Sequence, residues 1–207
     1  LDDLEKFIES EPTKDDVELI LVGDGEIDRT LWNIFRLTIH NMEHEDGVGR
    51  RMSAVVGFRK KKKFKLLGLI SFQSDSAILT ARDDYIGWNE VQRSKNREKI
   101  VNLHVCVPTQ PFGNNYLGGK LLAAICCSHL TKDTLDKKYG GPFCMFETTS
   151  LYGSTKSSSQ YDGMKPFLRH KGETVSDFAP LINDDNFHRL NDWFKERNGE
   201  PLINPQA

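Results

Sequence analysis

Two rhythms of apolar and polar positions run along this chain, and the changes between them set the predicted elements. Residues 17–24 (VELILVGD) read as a strand ended by a Gly-Asp-Gly turn. Residues 26–44 place Ile27, Leu31, Ile34, Phe35, Leu37 and Ile39 near helical spacing, and EDGVG breaks that helix. MSAVVGF (52–58) and KLLGLISFQ (65–73) flank a lysine turn and predict an antiparallel hairpin. VNLHVCV (101–107) is a nearly continuous apolar run, as a central strand requires, and the two prolines of PTQPFG end it. NNYLGGKLLAAICCSHL (114–130) predicts a helix with an Asn at its N-cap. PFCMFETTSL predicts another strand, SSSQYDGMKPFL a short helix broken before Pro166, and residues 187–199 a C-terminal helix. Residues 1–16 read as a short acidic helix, and residues 81–100 as polar and loop-like.

This order predicts an α+β fold, an α/β sandwich with a mixed sheet and helices on both faces. Residues 1–45 form an N-terminal segment of the same domain, 46–180 the core, and 181–207 a C-terminal helix and tail. If the strands at 101–107 and 142–151 are parallel neighbours, their tips near residues 107 and 147 open a polar notch, where ligands of such sheets collect.

Composition narrows the class. With 207 residues, 38% of them hydrophobic, one core suffices without disulfides. Cys106, Cys126, Cys127 and Cys144 form no CxxC pair and fit no common zinc site, so no metal is expected and a reduced cytoplasmic setting is. No apolar run approaches the roughly 20 residues of a membrane helix. The chain begins at Leu1 rather than Met, so a missing leader carries no weight. Net charge is −2, yet FRKKKKFK (58–65) concentrates six basic residues. That run reads as a solvated hairpin turn or as a phosphate-facing patch, with Lys61 and Lys62 at its tip.

Candidate chemistry sits in three places. In VCVPTQPFGNNYLGGKLL, a strand feeds a glycine-containing loop and a helix start, which suits an anion. Gly113, Gly118 and Gly119 allow close approach by a ligand, or by the sheet. In ARDDYIGW, Asp83 and Asp84 offer acid/base carboxylates and Tyr85 and Trp88 offer stacking faces. The plainer reading there is a turn, with Arg82 paired to one acid. In FETTSLYGSTKSSSQYDGMKPFLRHKGET, a strand delivers Glu147 to the sheet edge, followed by hydroxyls and Lys156. A mobile serine-rich loop is the alternative. His104 reads as a satisfied core residue, and His170 is the histidine nearest the same edge.

ILTARDDYIGW resembles the RD-x-x-IGW signature of DruA-type proteins of Druantia anti-phage systems and their phage-encoded relatives. The strand–proline loop–helix start and the strand ending in ET are similar to that family's, and the resemblance covers residues 50–175. The same order of elements resembles the GNAT acyltransferase fold, including the Mom-type phage enzymes that modify DNA adenine. In GNAT enzymes a Q/R-x-x-G-x-G/A loop holds the coenzyme A pyrophosphate. Here it reads Gln110-Pro-Phe-Gly113-Asn-Asn115, with Asn115 where a small residue belongs.

The resemblance implies a GNAT-like transferase acting on DNA bases in a bacterial cytoplasm. Asp83, Asp84, Glu147, Tyr161 and Asp162 would be the acid/base groups. Gln110, Gly113, Asn115, Gly118 and Gly119 would hold a donor, which the sequence leaves open and the resemblance suggests is acyl-CoA-like. Arg82, Tyr85, Trp88, Lys61, Lys62, Lys156 and Ser158 would touch DNA. The alternatives are a non-catalytic module that holds nucleic acid or a protein partner, and an acyl-CoA transferase acting on a small amine.

Overall fold

The computed structural model describes residues 16–40, 49–60, 62–75, 78–115, 118–150, 159–173 and 184–201. Those up to residue 173 belong to one compact unit and those from 184 to another. The predicted acidic helix at 1–16 lies outside the described residues except for Asp16.

The first unit is built on a five-stranded sheet in sequential order. It runs β1 (Val17–Leu21), β2 (Arg51–Lys60), β3 (Lys63–Ser74), β4 (Ile100–Pro108) and β5 (Met145–Glu147). The first three pairings are antiparallel; β4 and β5 are parallel. Among the described residues six α-helices accompany it: α1 (Glu26–Leu37), α2 (Thr80–Ile86), α3 (Glu90–Asn96), α4 (Phe112–Asn115), α5 (Gly119–Cys126) and α6 (His129–Tyr139). The second unit contributes α7 (Asp184–Asn198).

Alternation along the strands divides the core into two layers. Met52, Ala54, Val56 and Phe58 of β2 join Ile70, Phe72, Val101, Leu103 and Cys106 on one face. Leu122, Ala123, Ile125 and Cys126 of α5 and Leu135 of α6 cover that face. On the other face Trp32 of α1 packs with Leu69 and Val105. Helices therefore lie on both faces of a mixed sheet, as the sequence predicts.

The α1 face is not uniformly apolar. Ser53 and Ser71, both buried, meet there with hydroxyls 3.0 Å apart. A β-bulge adds His104 to β4: Ser71 pairs with Val105 and Phe72 with Leu103, so His104 is the extra residue between them.

Several expectations change. Residues 81–100, read as a loop, form α2 and α3. Asn89 and Gln92 cap α3 reciprocally, side chain to backbone N–H, at 2.9 and 3.1 Å. Gly87, at φ 77°, ends α2, and Trp88 N–H donates to the Asp83 carbonyl at 2.9 Å. The single helix expected at 114–130 is three pieces. Gly118 rather than an Asn precedes α5, and Ser128 caps α6, which the apolar periodicity did not reveal. Residues 159–168 form turns instead of a helix, held by Ser159 N–H donating to Asp162 Oδ2 at 2.8 Å.

The notch geometry also changes. β5 is three residues long and pairs only with the first part of β4, ending at Asn102↔Glu147. Glu147 thus lies roughly 15 Å down the sheet from residue 107, not beside it. Thr148 Oγ1 donates to the Leu103 carbonyl at 2.9 Å, and Gln160 Nε2 to the Cys106 carbonyl at 3.0 Å. The chain's own Gln160 and half-buried Tyr161 fill the edge of β4 where the notch was expected.

Candidate functional site

One arginine organises the polar end of the sheet. Arg82 lies on α2 with its side chain 4% exposed. Its Nε donates to Asp83 Oδ1 at 2.8 Å, and its Nη1 donates to Glu147 Oε2 at 3.1 Å and to Asp75 Oδ1. Arg93 of α3 donates to Asp83 Oδ2 at 3.1 Å. Asp75 follows directly from β3, Glu147 ends β5, and the two short helices carry the rest. The ends of β3 and β5 thus meet α2 at one guanidinium, and α3 joins the network through Asp83.

Two arginines and three carboxylates do not balance, and burial makes the surplus negative charge costly. Glu147 takes up that surplus. Burial, then the neighbouring Asp75 carboxyl, push its own carboxyl up to about 7, against the pull of Arg82. Glu147 Oε1 and Asp75 Oδ2 are both buried, and a protonated Glu147 shares its hydrogen with Asp75. Asp83 behaves oppositely. Burial opposes its ionisation, but Arg82 and Arg93 outweigh that and hold it below the usual carboxylate range. The cluster thus holds one carboxyl that exchanges its proton near neutral pH and one that stays ionised.

The other predicted residues are dispersed. Asp84 is exposed and turned away from the cluster's ion pairs. Tyr85 is 57% exposed, with Lys171 Nζ 3.1 Å from its ring centroid. Trp88 is half-buried, with the Arg82 guanidinium 5.9 Å from its ring. The Tyr161 phenol is pushed up by burial and lies 3.4 Å from Thr148 Oγ1. Asp162 holds a turn, and its carbonyl accepts from Lys120.

The glycines are explained by packing. A Cβ on Gly113 would overlap the Leu67 carbonyl, and one on Gly119 the Gln160 side chain. Gly118 has space and a φ of 53°, a conformation that favours glycine. Gln110 is exposed, and Asn115 closes the four-residue α4. Lys62 is exposed beside the hairpin tip, while Lys61, Lys156 and Ser158 lie outside the described residues.

Two of the segments quoted for the family resemblance therefore meet in space. RD supplies Arg82 and Asp83, IGW supplies the helix stop and the ring beside Arg82, and ET supplies Glu147 and the Thr148 clasp. Comparison with known proteins agrees. The family model described as Druantia protein DruA matches residues 1–157. The chain belongs to the DruA family. It is similar to Druantia protein DruA of Escherichia coli (strain UMEA 4076-1), at 31% identity over 164 residues, covering 72% of this chain and 40% of that relative. The chain thus spans about two fifths of the length of that DruA protein. No solved structure matches it.

In this DruA-family chain, sequence reasoning missed Asp75 and Arg93. Asp75 carries a faint signal, a carboxylate directly after an apolar strand, the same signal that exposed Glu147. It also missed the basic groups beneath α1. His104 and His40 face Arg36, and burial followed by Arg36 holds both imidazoles below their ordinary range. Among the described residues no three His, Cys, Asp or Glu side chains are placed to hold a metal ion. No helix of the described residues is long and apolar enough to cross a membrane.

Proposed function

We propose that this chain is a nucleic-acid-directed transferase of anti-phage defence, GNAT-like in architecture, in which Glu147 handles the proton of a DNA base. The Glu147 carboxyl carries this reading: braced by Arg82 and hydrogen-bonded to Asp75, it exchanges its proton near pH 7. Such a group is matched to general acid–base work at neutral pH. An exocyclic amine of a base would attack the carbonyl of an activated acyl donor as Glu147 accepts the amine proton. The bond to the donor's leaving group then breaks, and Glu147 returns the proton to that group. Arg82 is the positioning residue, and the exposed Tyr85 and Lys62 are the groups offered to nucleic acid. The parallel β4–β5 pair beside an antiparallel meander supports the GNAT-like assignment.

The test is mass spectrometry of nucleosides from DNA co-expressed with the wild type and with Glu147→Gln. A new nucleoside that disappears with E147Q, in a variant that still unfolds cooperatively, is the expected result. Unmodified nucleosides in every host would reject the transferase.

Gln160 favours a second reading. With the edge of β4 filled by the chain itself, the fold serves as a non-catalytic module that holds nucleic acid or a protein partner. That reading predicts a salt-sensitive gel shift with no modified nucleoside. An acyl-CoA transferase acting on a small amine comes third, because the loop that would hold coenzyme A carries Asn115 where a small residue belongs.

A further inference from the structure

The outer side of α2 meets a strip of chain formed by residues 164–172, MKPFLRHKG. Met164 and Leu168 pack against the main core, and the N–H groups of Phe167 and Leu168 donate to the Met164 carbonyl at 3.0 and 3.2 Å. Gly172 presses on α2, where a Cβ would come within 2.8 Å of the Ala81 Cβ. The strip is thus anchored at both ends, and the groups it leaves outside are held in place.

Those groups are aromatic and basic. Phe167 is 71% exposed and Tyr85, on α2, 57% exposed. Lys171 Nζ lies 3.1 Å from the Tyr85 ring centroid, and Phe167 stands four residues before Lys171, a span of at most about 14 Å of chain. Lys165, Arg169 and Lys171 are all exposed. A hydrogen bond and the charge of Lys171, followed by the charge of Arg169, hold the Tyr85 phenol below its ordinary range, so both cations face the ring.

Three carboxylates are near in sequence. Asp162 accepts from the Ser159 N–H, and Glu173 follows the strip. Asp84 adjoins Tyr85, but consecutive helix residues do not face each other. Among the described residues no ion pair joins any of the three to Lys165, Arg169 or Lys171. The surface therefore presents open cations beside two open rings.

That combination selects among anionic partners. An acidic peptide satisfies the cations and leaves the rings unmatched. A duplex offers phosphates but keeps its base faces stacked inside. A single strand offers both charges and bare base faces. The lysine hairpin lies at the far end of β3, 12 residues long, so it is on the order of 35 Å away and forms no part of this surface.

We propose that α2 and residues 164–172 bind single-stranded DNA, one base stacking on Tyr85 and another on Phe167 while Lys165, Arg169 and Lys171 hold the phosphates. The inference rests on the nucleic-acid reading above for its partner and needs no transfer chemistry at Glu147. Arg82 and Tyr85 are neighbours on α2, three positions apart, so a strand held here runs beside the buried cluster.

Fluorescence anisotropy of the full chain tests it, with a labelled oligothymidylate, a duplex of equal length, and polyglutamate as competitor. The single strand binds at least about tenfold more tightly than the duplex. Phe167→Ala and Tyr85→Ala each weaken it at least about fivefold, the scale of one stacked base, with the unfolding transition unchanged. Arg169→Gln with Lys171→Gln lowers the salt dependence of log K by about 0.7 per cation. Equal affinity in wild type, F167A and Y85A, or preference for the duplex, overturns the proposal even where modified nucleosides uphold the transferase. Displacement by polyglutamate at equal charge concentration overturns it in favour of an acidic protein. Binding as expected with every nucleoside unmodified upholds it and rejects the transferase alone.

Discussion

Arg82 and Glu147 are 65 positions apart in sequence and 3.1 Å apart in the fold. That contact ties α2 to the end of β5, and with Asp75 it fastens the end of β3 to both. Removing the guanidinium strands three carboxylates in a buried site. Arg82→Leu is therefore expected to lower unfolding free energy by about 3–5 kcal/mol, the cost of breaking a buried ion pair. Asp84→Asn, two residues along the same helix but exposed, changes it by less than about 0.5 kcal/mol. Urea unfolding of both variants checks the contrast, and equal effects would contradict a network centred on Arg82.

Glu147 holds its proton more firmly in the folded chain than in the unfolded one. Its contribution is fully present below the unfolded value of 4.5 and is lost as pH rises through about 7. Glu147→Gln keeps the shape and cannot ionise. Its stability relative to wild type should rise by about 2 kcal/mol between about pH 5 and about pH 8. Unfolding curves for both proteins at the two pH values measure this, and a gap independent of pH would refute it.

Gly113 presses on the backbone of β3, which has no room to yield. Gly113→Ala should cost about 1–3 kcal/mol by overpacking. Gly118→Ala meets open space and costs about 1 kcal/mol, from its left-handed backbone alone. Thermal melts of the two variants give the order. A harmless G113A would show that the glycine serves a ligand rather than the sheet.

Gln160 occupies the edge of β4, so coenzyme A should produce no thermal shift in the wild type. Gln160→Ala leaves the Cys106 carbonyl without this donor, at a cost of about 1 kcal/mol. A stabilisation of several degrees by coenzyme A in the wild type would overturn the view that the edge is closed.

Lys62 and Lys63 are exposed at the hairpin turn. If they contact phosphates, replacing both with Gln weakens DNA binding alike for all sequences. It also reduces the salt dependence of log K by about one unit per lysine. Fluorescence anisotropy at several salt concentrations reads the slope, and an unchanged slope would remove the hairpin from the interface.

The strands were legible because burial on both faces leaves long apolar runs, and β2, β3 and β4 begin and end within about two residues of their predicted limits. α2 and α3 were not legible. The residues α2 buries are Arg82 and Asp83, and a charged pair inside a protein looks in sequence like a charged pair on its surface. Glu147 was legible as a carboxylate at the end of an apolar strand, but its proton affinity depends on Asp75, a long-range neighbour with no sequence link to it. Gly119 shows the opposite limit. Sequence reveals that space is needed there, yet only the fold shows that Gln160 takes it.

The extra residue in β4 has a consequence of its own. Without His104 the strand would alternate regularly, with Leu103 and Cys106 toward one layer and Val105 toward the other. An imidazole has been grafted onto an intact ladder without inverting any neighbour. A scaffold that tolerates such insertions can acquire new polar groups beneath its first helix while its hydrophobic packing stays as it was.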